Sequence, residues 1–205
     1  MTHVRAHRLA GRRFDHLRID ALLAQTDLVV AHNAAFEWPF LTPLFPRLAE
    51  LPWACSLRDI EWVQEHAVAR ASIDGLLAAY AMGPSDQTPE GDCHALVRIL
   101  SQRLPRSLET GFKRLLAASR RVTVCCAGAD ASDAVAASLE PLGFRSENWG
   151  WTATLRDDEA ALDLETRVVD GAVDNPAFAG LKMWRVNATT RFEPGDDDAG
   201  DYSDP

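Results

Sequence analysis

Few side chains in this sequence are suited to chemistry, and they lie far apart. Glu37 closes the run His32-Asn33-Ala34-Ala35-Phe36-Glu37, directly after the apolar stretch Leu28-Val29-Val30-Ala31. Asp92 stands in Pro89-Glu90-Gly91-Asp92-Cys93-His94-Ala95-Leu96. Carboxylate oxygens are the ligands that hard cations such as Mg²⁺ take, but such an ion wants a fuller oxygen set than two side chains supply. Each acid also has a plain structural reading. Glu37 complements the free N–H groups and the dipole at a helix N-terminus, and Asp92 by itself is a solvated helix carboxylate. His94 is a candidate base, but two residues along a helix turn it to a different face from Asp92. Cys55, Cys93, Cys125 and Cys126 have neither CxxC spacing nor a paired framework. They support neither a zinc site nor a disulfide scaffold, and read as free thiols of a reducing cytoplasm.

The elements that must position these residues follow from periodicity and punctuation. Phe14, Leu17, Ile19, Leu22 and Leu23 recur at near-helical spacing over 14–25. Residues 27–31 are apolar without alternation, as in a parallel strand covered on both faces. Pro39 fits the first turn of a helix better than its interior, so a helix is expected from Glu37 or Trp38 towards Ala49, short or broken because of Pro43 and Pro46. A second strand is expected over 53–57, with helices over 58–66 and 72–82. A helix over 88–104 has Thr88 as N-cap, Pro89 at its first position and Leu96, Val97, Leu100 and Leu104 on one face. After a helix over 108–119 the pattern starts afresh. It gives a strand over 122–127, a helix over 132–142 ending at Gly143, a hairpin over 144–155 with Trp149 and Trp151, a helix over 157–170 and a strand over 181–188. A boundary near 105–120 yields domains 1–105 and 106–193, followed by an acidic tail, 194–205, too poor in apolar groups to repay ordering.

Composition narrows the class. With 205 residues, 47% hydrophobic and 25% charged, the chain reads as a soluble globular protein of one or two domains. A net charge of -9 argues against a broad electrostatic grip on a phosphate backbone. Its distribution softens that objection: Arg5, Arg8, Arg12, Arg13 and Arg18 crowd the start, whereas Glu193, Asp196, Asp197, Asp198, Asp201 and Asp204 crowd the end. No apolar run suits a secretory signal or a membrane span. A cytoplasmic protein without a membrane partner is expected.

Taken together, Val30 to Glu37 with Pro39-Phe40-Leu41, and Gln87 to Leu96, resemble the second and third motifs of the DNA polymerase III epsilon-type (DnaQ-like) 3′→5′ exonucleases. The resemblance covers roughly residues 2 to 104, and Leu142-Gly143-Phe144-Arg145 with Ala188 to Phe192 is similar to a small C-terminal unit appended in a bacterial subgroup. It implies an α/β protein: an RNase H-like exonuclease fold, truncated, followed by a small C-terminal α/β unit. It assigns Glu37, where the family has aspartate, and Asp92 to a site for Mg²⁺ or Mn²⁺. It assigns His32, Asn33 and Phe36 to substrate binding, with single-stranded or 3′-terminal DNA as partner. Gln87 stands where the family has its general-base histidine, and an amide cannot take a proton near neutral pH.

Family members also carry an apolar strand bearing Asp-x-Glu, whose carboxylates complete the sites for two metal ions. The resemblance starts downstream of it. The expectation is therefore a chain inactive or strongly impaired by itself, in which another chain completes the sheet or Met1 is not the true start; the alternative is a non-catalytic nucleic-acid- or polymerase-associated binding module. A sheet reduced to two apolar strands leaves edges open to pairing. Glu37 and Asp92 are expected together at one end of the first strand, where mutual repulsion raises the pKa of one of them.

Overall fold

The computed structural model describes residues 11, 13–66, 68, 70–86, 88–128, 133–173, 175, 178 and 180–193. Gln87 and the acidic tail lie outside the described residues. The protein is a mixed helix and strand structure whose internal contacts define two compact units, divided between Leu116 and Ala117. No helix among the described residues is long and apolar enough to cross a membrane.

In the first unit, α1 (His16–Leu23) is capped by Asp15, which accepts from the Arg18 amide. Strands β1 (Val29–Ala31) and β2 (Trp53–Cys55) form a two-stranded parallel sheet with Val29 opposite Trp53 and Ala31 opposite Cys55. Between them lie α2 (Ala34–Leu41) and the single turn α3 (Arg47–Glu50). The indole of Trp53, fully buried, donates to the Leu48 carbonyl at 2.8 Å and so ties that turn to β2.

Helix α2 begins three residues before the expected start. The Asn33 carbonyl accepts from both Phe36 and Glu37 amides and opens the helix at Ala34, and Pro39, inside it, comes only two residues before its end. Strand β2 stops at Cys55 rather than Leu57 because the amides of Arg58 and Asp59 both turn back onto the Cys55 carbonyl, while Asp59 Oδ2 accepts from the Cys55 amide at 2.7 Å. The following helix α4 (Trp62–His66) consequently starts late.

Helix α5 (Ile73–Ala79) is capped by Ser72, and α6 (Pro89–Leu100) by Thr88, which accepts from Gly91 with Pro89 in the first turn. Ala95, Leu96, Ile99 and Leu100 form the buried face of α6, whereas Val97 is 53% exposed. The core-facing stripe thus follows the i, i+1, i+4, i+5 pattern, displacing Val97 from the expected set. These residues pack with Ala54, Trp62, Leu76, Leu77, Leu104 and Leu115. Leu115, on α7 (Gly111–Ala118), belongs to this core, and Glu65 Oε2 accepts from the amides of Arg106 and Ser107, so the first unit extends to residue 116.

The second unit runs β3 (Val122–Ala127), α8 (Asp133–Leu139), β4 (Arg145–Glu147), β5 (Gly150–Leu155), α9 (Asp158–Ala172) and β6 (Lys182–Val186). All pairings are antiparallel and the strand order is β4-β5-β3-β6, a split βαββαβ arrangement. After α8 a 3₁₀ turn, Glu140–Leu142, ends at Gly143, whose φ of 94° is the left-handed conformation a glycine adopts without a Cβ penalty. Alternate residues Val122, Val124 and Cys126 of β3 and Trp151 and Ala153 of β5 share one core with Val135 and Leu139 of α8 and Ala161, Leu164 and Val168 of α9. Both helices therefore cover the same face of the sheet. Arg185 of β6 reaches α9 through paired bonds to Glu165, 2.7 Å and 2.6 Å.

Candidate functional site at the carboxyl end of the parallel strands

Parallel register sets the carboxyl ends of β1 and β2 side by side, so His32 and Ser56, the residues that follow them, meet. His32 Nδ1 lies 2.8 Å from Ser56 Oγ, and its Nε2 lies 2.6 Å from the Ala71 carbonyl. A carbonyl only accepts, so Nε2 carries the proton, and in the neutral ring Nδ1 accepts from the Ser56 hydroxyl. Ser56 is fully buried and its hydroxyl also lies 3.2 Å from the Ala31 carbonyl. Burial holds the His32 pKa below the ordinary imidazole value, against opposing contributions from the Ala71 carbonyl and the charge of Asp92. Both ring nitrogens are spent inside the unit. His32 joins the two strand ends to the segment before α5, instead of offering a free ring nitrogen to a substrate.

Asn33, Phe36 and Glu37 follow on α2 and its cap. Asn33 and Phe36 are exposed; Phe36 packs on Phe40, one turn on, with ring centroids 5.1 Å apart, and each is 63% exposed. Glu37 is half-buried, and burial raises its pKa above the ordinary carboxylate value. The direction matches the expectation and the cause does not: desolvation, rather than repulsion from a second carboxylate, acts on Glu37.

Asp92 sits in the first turn of α6 and accepts from Ser85 Oγ at 2.8 Å through Oδ1. Its charge acts on His32, and the charges of Glu37 and Asp92 both act on Cys93, adding to the effect of burial in raising the thiol pKa. These influences connect Asp92 with His32, and Glu37 with Cys93 in the first turns of α6. His94 is turned elsewhere, exposed and 3.9 Å from the equally exposed Glu90.

Sequence reasoning missed Ser56 and Ser85. Ser56 had one available signal, since it follows β2 as His32 follows β1. Ser85 had none, because its bond to Asp92 depends on how the loop before α6 is folded.

Glu37 and Asp92 offer oxygen donors of the type Mg²⁺ and Mn²⁺ take. They remain a pair: among the described residues no group of three or more His, Cys, Asp or Glu is placed to hold a metal ion. With Asp92 Oδ1 engaged by Ser85, the donors present do not amount to a two-ion centre. Compared with protein-family models, curated proteins and solved structures, the chain matches none.

Proposed function

We propose that the chain is a 3′→5′ exonuclease-family protein of the DNA polymerase III epsilon type, with an RNase H-like first unit, and that Glu37 and Asp92 are the part of its nuclease site borne by these residues. What supports this reading is the order of the acids along the fold, Glu37 on the helix that follows β1 and Asp92 in the first turn of α6, together with the Asp92 charge acting on His32 and both acids acting on Cys93. An apolar strand delivering a histidine, then an acid on the next helix, then an acid on a later helix beside it, is the arrangement the motifs of that family imply.

Two carboxylates, a glutamine at the general-base position and a glutamate where the family has aspartate leave the 205 residues inactive or strongly impaired by themselves on single-stranded DNA. The four free cysteines, three of them buried, accord with a reducing, cytoplasmic setting. A non-catalytic nucleic-acid- or polymerase-associated role is the second reading. It is favoured by the internal bonds of His32 and by the Ser85 bond to Asp92, which use site groups for structure.

The test is reconstruction. The segment bearing the Asp-x-Glu strand from an epsilon-type exonuclease is joined ahead of residue 14, with Glu37→Asp and Gln87→His introduced. Metal-dependent shortening of a 3′-labelled oligonucleotide, abolished by Asp92→Asn, is expected. A folded chimera without that activity overturns the reading. The unaltered chain is expected to show no such shortening, and robust Mg²⁺-dependent degradation lost in Asp92→Ala would restore it to the active enzymes.

A further inference from the structure

Among the described residues of the second unit, α8 and α9 both lie on one face of its sheet. Alternation assigns Thr123 and Cys125 of β3, Thr152 and Thr154 of β5, and Lys182 and Trp184 of β6 to the face opposite α8 and α9, since Val124, Cys126 and Ala153 point into the core those helices share. On this second face Trp184 stacks in a tilted pair with Trp149 of the β4–β5 turn, ring centroids 5.7 Å apart and planes at 34°. Gly150 makes that approach possible: a Cβ there would collide with the Cys126 carbonyl, so only glycine lets the start of β5 lie this close to β3. Cys125, whose partners across the sheet are Thr152 and Trp184, is 1% exposed although it lies outside the helix-side core. Trp184 itself remains 36% exposed.

Besides Ala127 and Val186, which the same alternation sets here, the rest of this face is polar. Thr123 and Thr154 hydroxyls meet across β3 and β5 at 3.1 Å, and the exposed cations Lys182 and Arg145 lie on the edge strands β6 and β4, with Glu147 the acid beside Arg145. The acids of the unit are concentrated on the other side: α9 alone carries Asp158, Glu159, Asp163, Glu165 and Asp170 against one Arg167. Of the two faces, the one bearing the indoles is the one that tolerates an anion.

From this we propose that the sheet face of the second unit opposite α8 and α9 binds single-stranded nucleic acid, with a base stacked on the Trp149–Trp184 pair and Lys182 and Arg145 meeting the flanking phosphates. Aromatic rings accept any base by its π-face, a basic groove or edge tracks the backbone, and hydroxyls supply sequence-tolerant hydrogen bonds. A duplex keeps its bases stacked inside and presents no free base face to the indoles. The proposal is independent of the nuclease reading, which concerns residues of the first unit.

The experiment uses the full 205-residue chain, a fluorescein-labelled oligothymidylate and anisotropy in low-salt buffer with EDTA, so that no metal-dependent event contributes. Saturable binding is expected, weakened about tenfold or more by Trp184→Ala and again by Lys182→Glu combined with Arg145→Glu. Arg167→Glu on α9 and the pair Glu37→Gln with Asp92→Asn are expected to leave it unchanged, and a duplex of equal length to compete poorly. The charge-reversal variant keeps the question decidable if Trp184→Ala fails to fold. Absence of oligonucleotide binding, which would leave the indole face to a protein partner, overturns the proposal. So does equal loss in Arg167→Glu, or binding that depends on Glu37 and Asp92 and not on Trp184.

Discussion

Ser85 Oγ donates to Asp92 Oδ1 across 2.8 Å, so a carboxylate that stands out in the sequence as a metal ligand is already half satisfied by a hydroxyl seven residues upstream. A hydrogen bond to a charged group is worth about 1.5–3 kcal/mol in favourable cases. Ser85→Ala is expected to lower the stability of the first unit by about 1 kcal/mol at neutral pH, and the loss should disappear in an Asp92→Ala background, which has no acceptor. A double-mutant cycle by urea denaturation measures it. Additive single effects would show that the bond contributes nothing.

His32→Gln is expected to cost about 1–2 kcal/mol at neutral pH, because it disturbs a half-buried pair of bonds to Ser56 and Ala71. Its pH dependence carries more information. Since the folded state binds the His32 proton more weakly than the unfolded chain, this stability is fully present above the ordinary imidazole pKa and is lost as pH falls through the lowered folded value. The native protein should therefore lose more stability than His32→Gln on acidification from neutral into the mildly acidic range. Parallel stability curves for the two proteins would contradict the assignment.

Glu37 gives the opposite sign. Its pKa is raised by burial, so its contribution is best below the unfolded carboxylate pKa and declines as pH rises through the folded value. Glu37→Gln should gain thermal stability relative to the native protein at neutral pH and not at acidic pH. A gain of equal size at both would show that ionisation of Glu37 is not the cause.

Arg185 and Glu165 form a bidentate pair that is partly shielded, with side chains 31% and 21% exposed. The bond holds the Glu165 pKa below the ordinary carboxylate value, so the stabilisation is present at neutral pH and lost as pH falls through that lowered value. A coupling energy of about 1 kcal/mol is expected from the Arg185→Ala and Glu165→Ala cycle at neutral pH. Persistence of the full coupling in strong acid would rule out an ionic origin.

Two glycines of the second unit provide a matched contrast. Gly150→Ala drives a methyl into the Cys126 carbonyl and is expected to cost about 2 kcal/mol or more. Gly171→Ala, near the end of α9 with open space around it, is expected to stabilise by about 0.5–1 kcal/mol through helix propensity. Thermal denaturation decides both, and a tolerated Gly150→Ala would mean that β5 can shift away from β3.

Local signals were the readable ones. Val122–Ala127 is apolar except for Thr123 and bounded by Arg121 and Gly128, and it is a strand. Thr88 and Pro89 mark the start of α6 because capping chemistry is decided within one turn. What escaped depends on groups that meet only after folding. The Asn33 carbonyl, invisible to side-chain patterning, opens α2 early; Val97 looks like a core residue until the register of its helix is known; and Ser56 becomes a partner of His32 only when two strands lie in parallel register. The carboxylate pair was legible by type and order, whereas the burial that sets the Glu37 proton affinity was not.

The strand order of the second unit also has a bearing on its synthesis. β3, the first strand of the unit to leave the ribosome, lies between β5 and β6, so its outer edge stays unpaired until the last strand, Lys182–Val186, has emerged. Through that interval a strand rich in Val and Cys presents free amides and carbonyls to any neighbouring nascent chain. The final strand is thus the lid on an adhesive edge, and a ribosome that stalls before it releases the unit in its most aggregation-prone form.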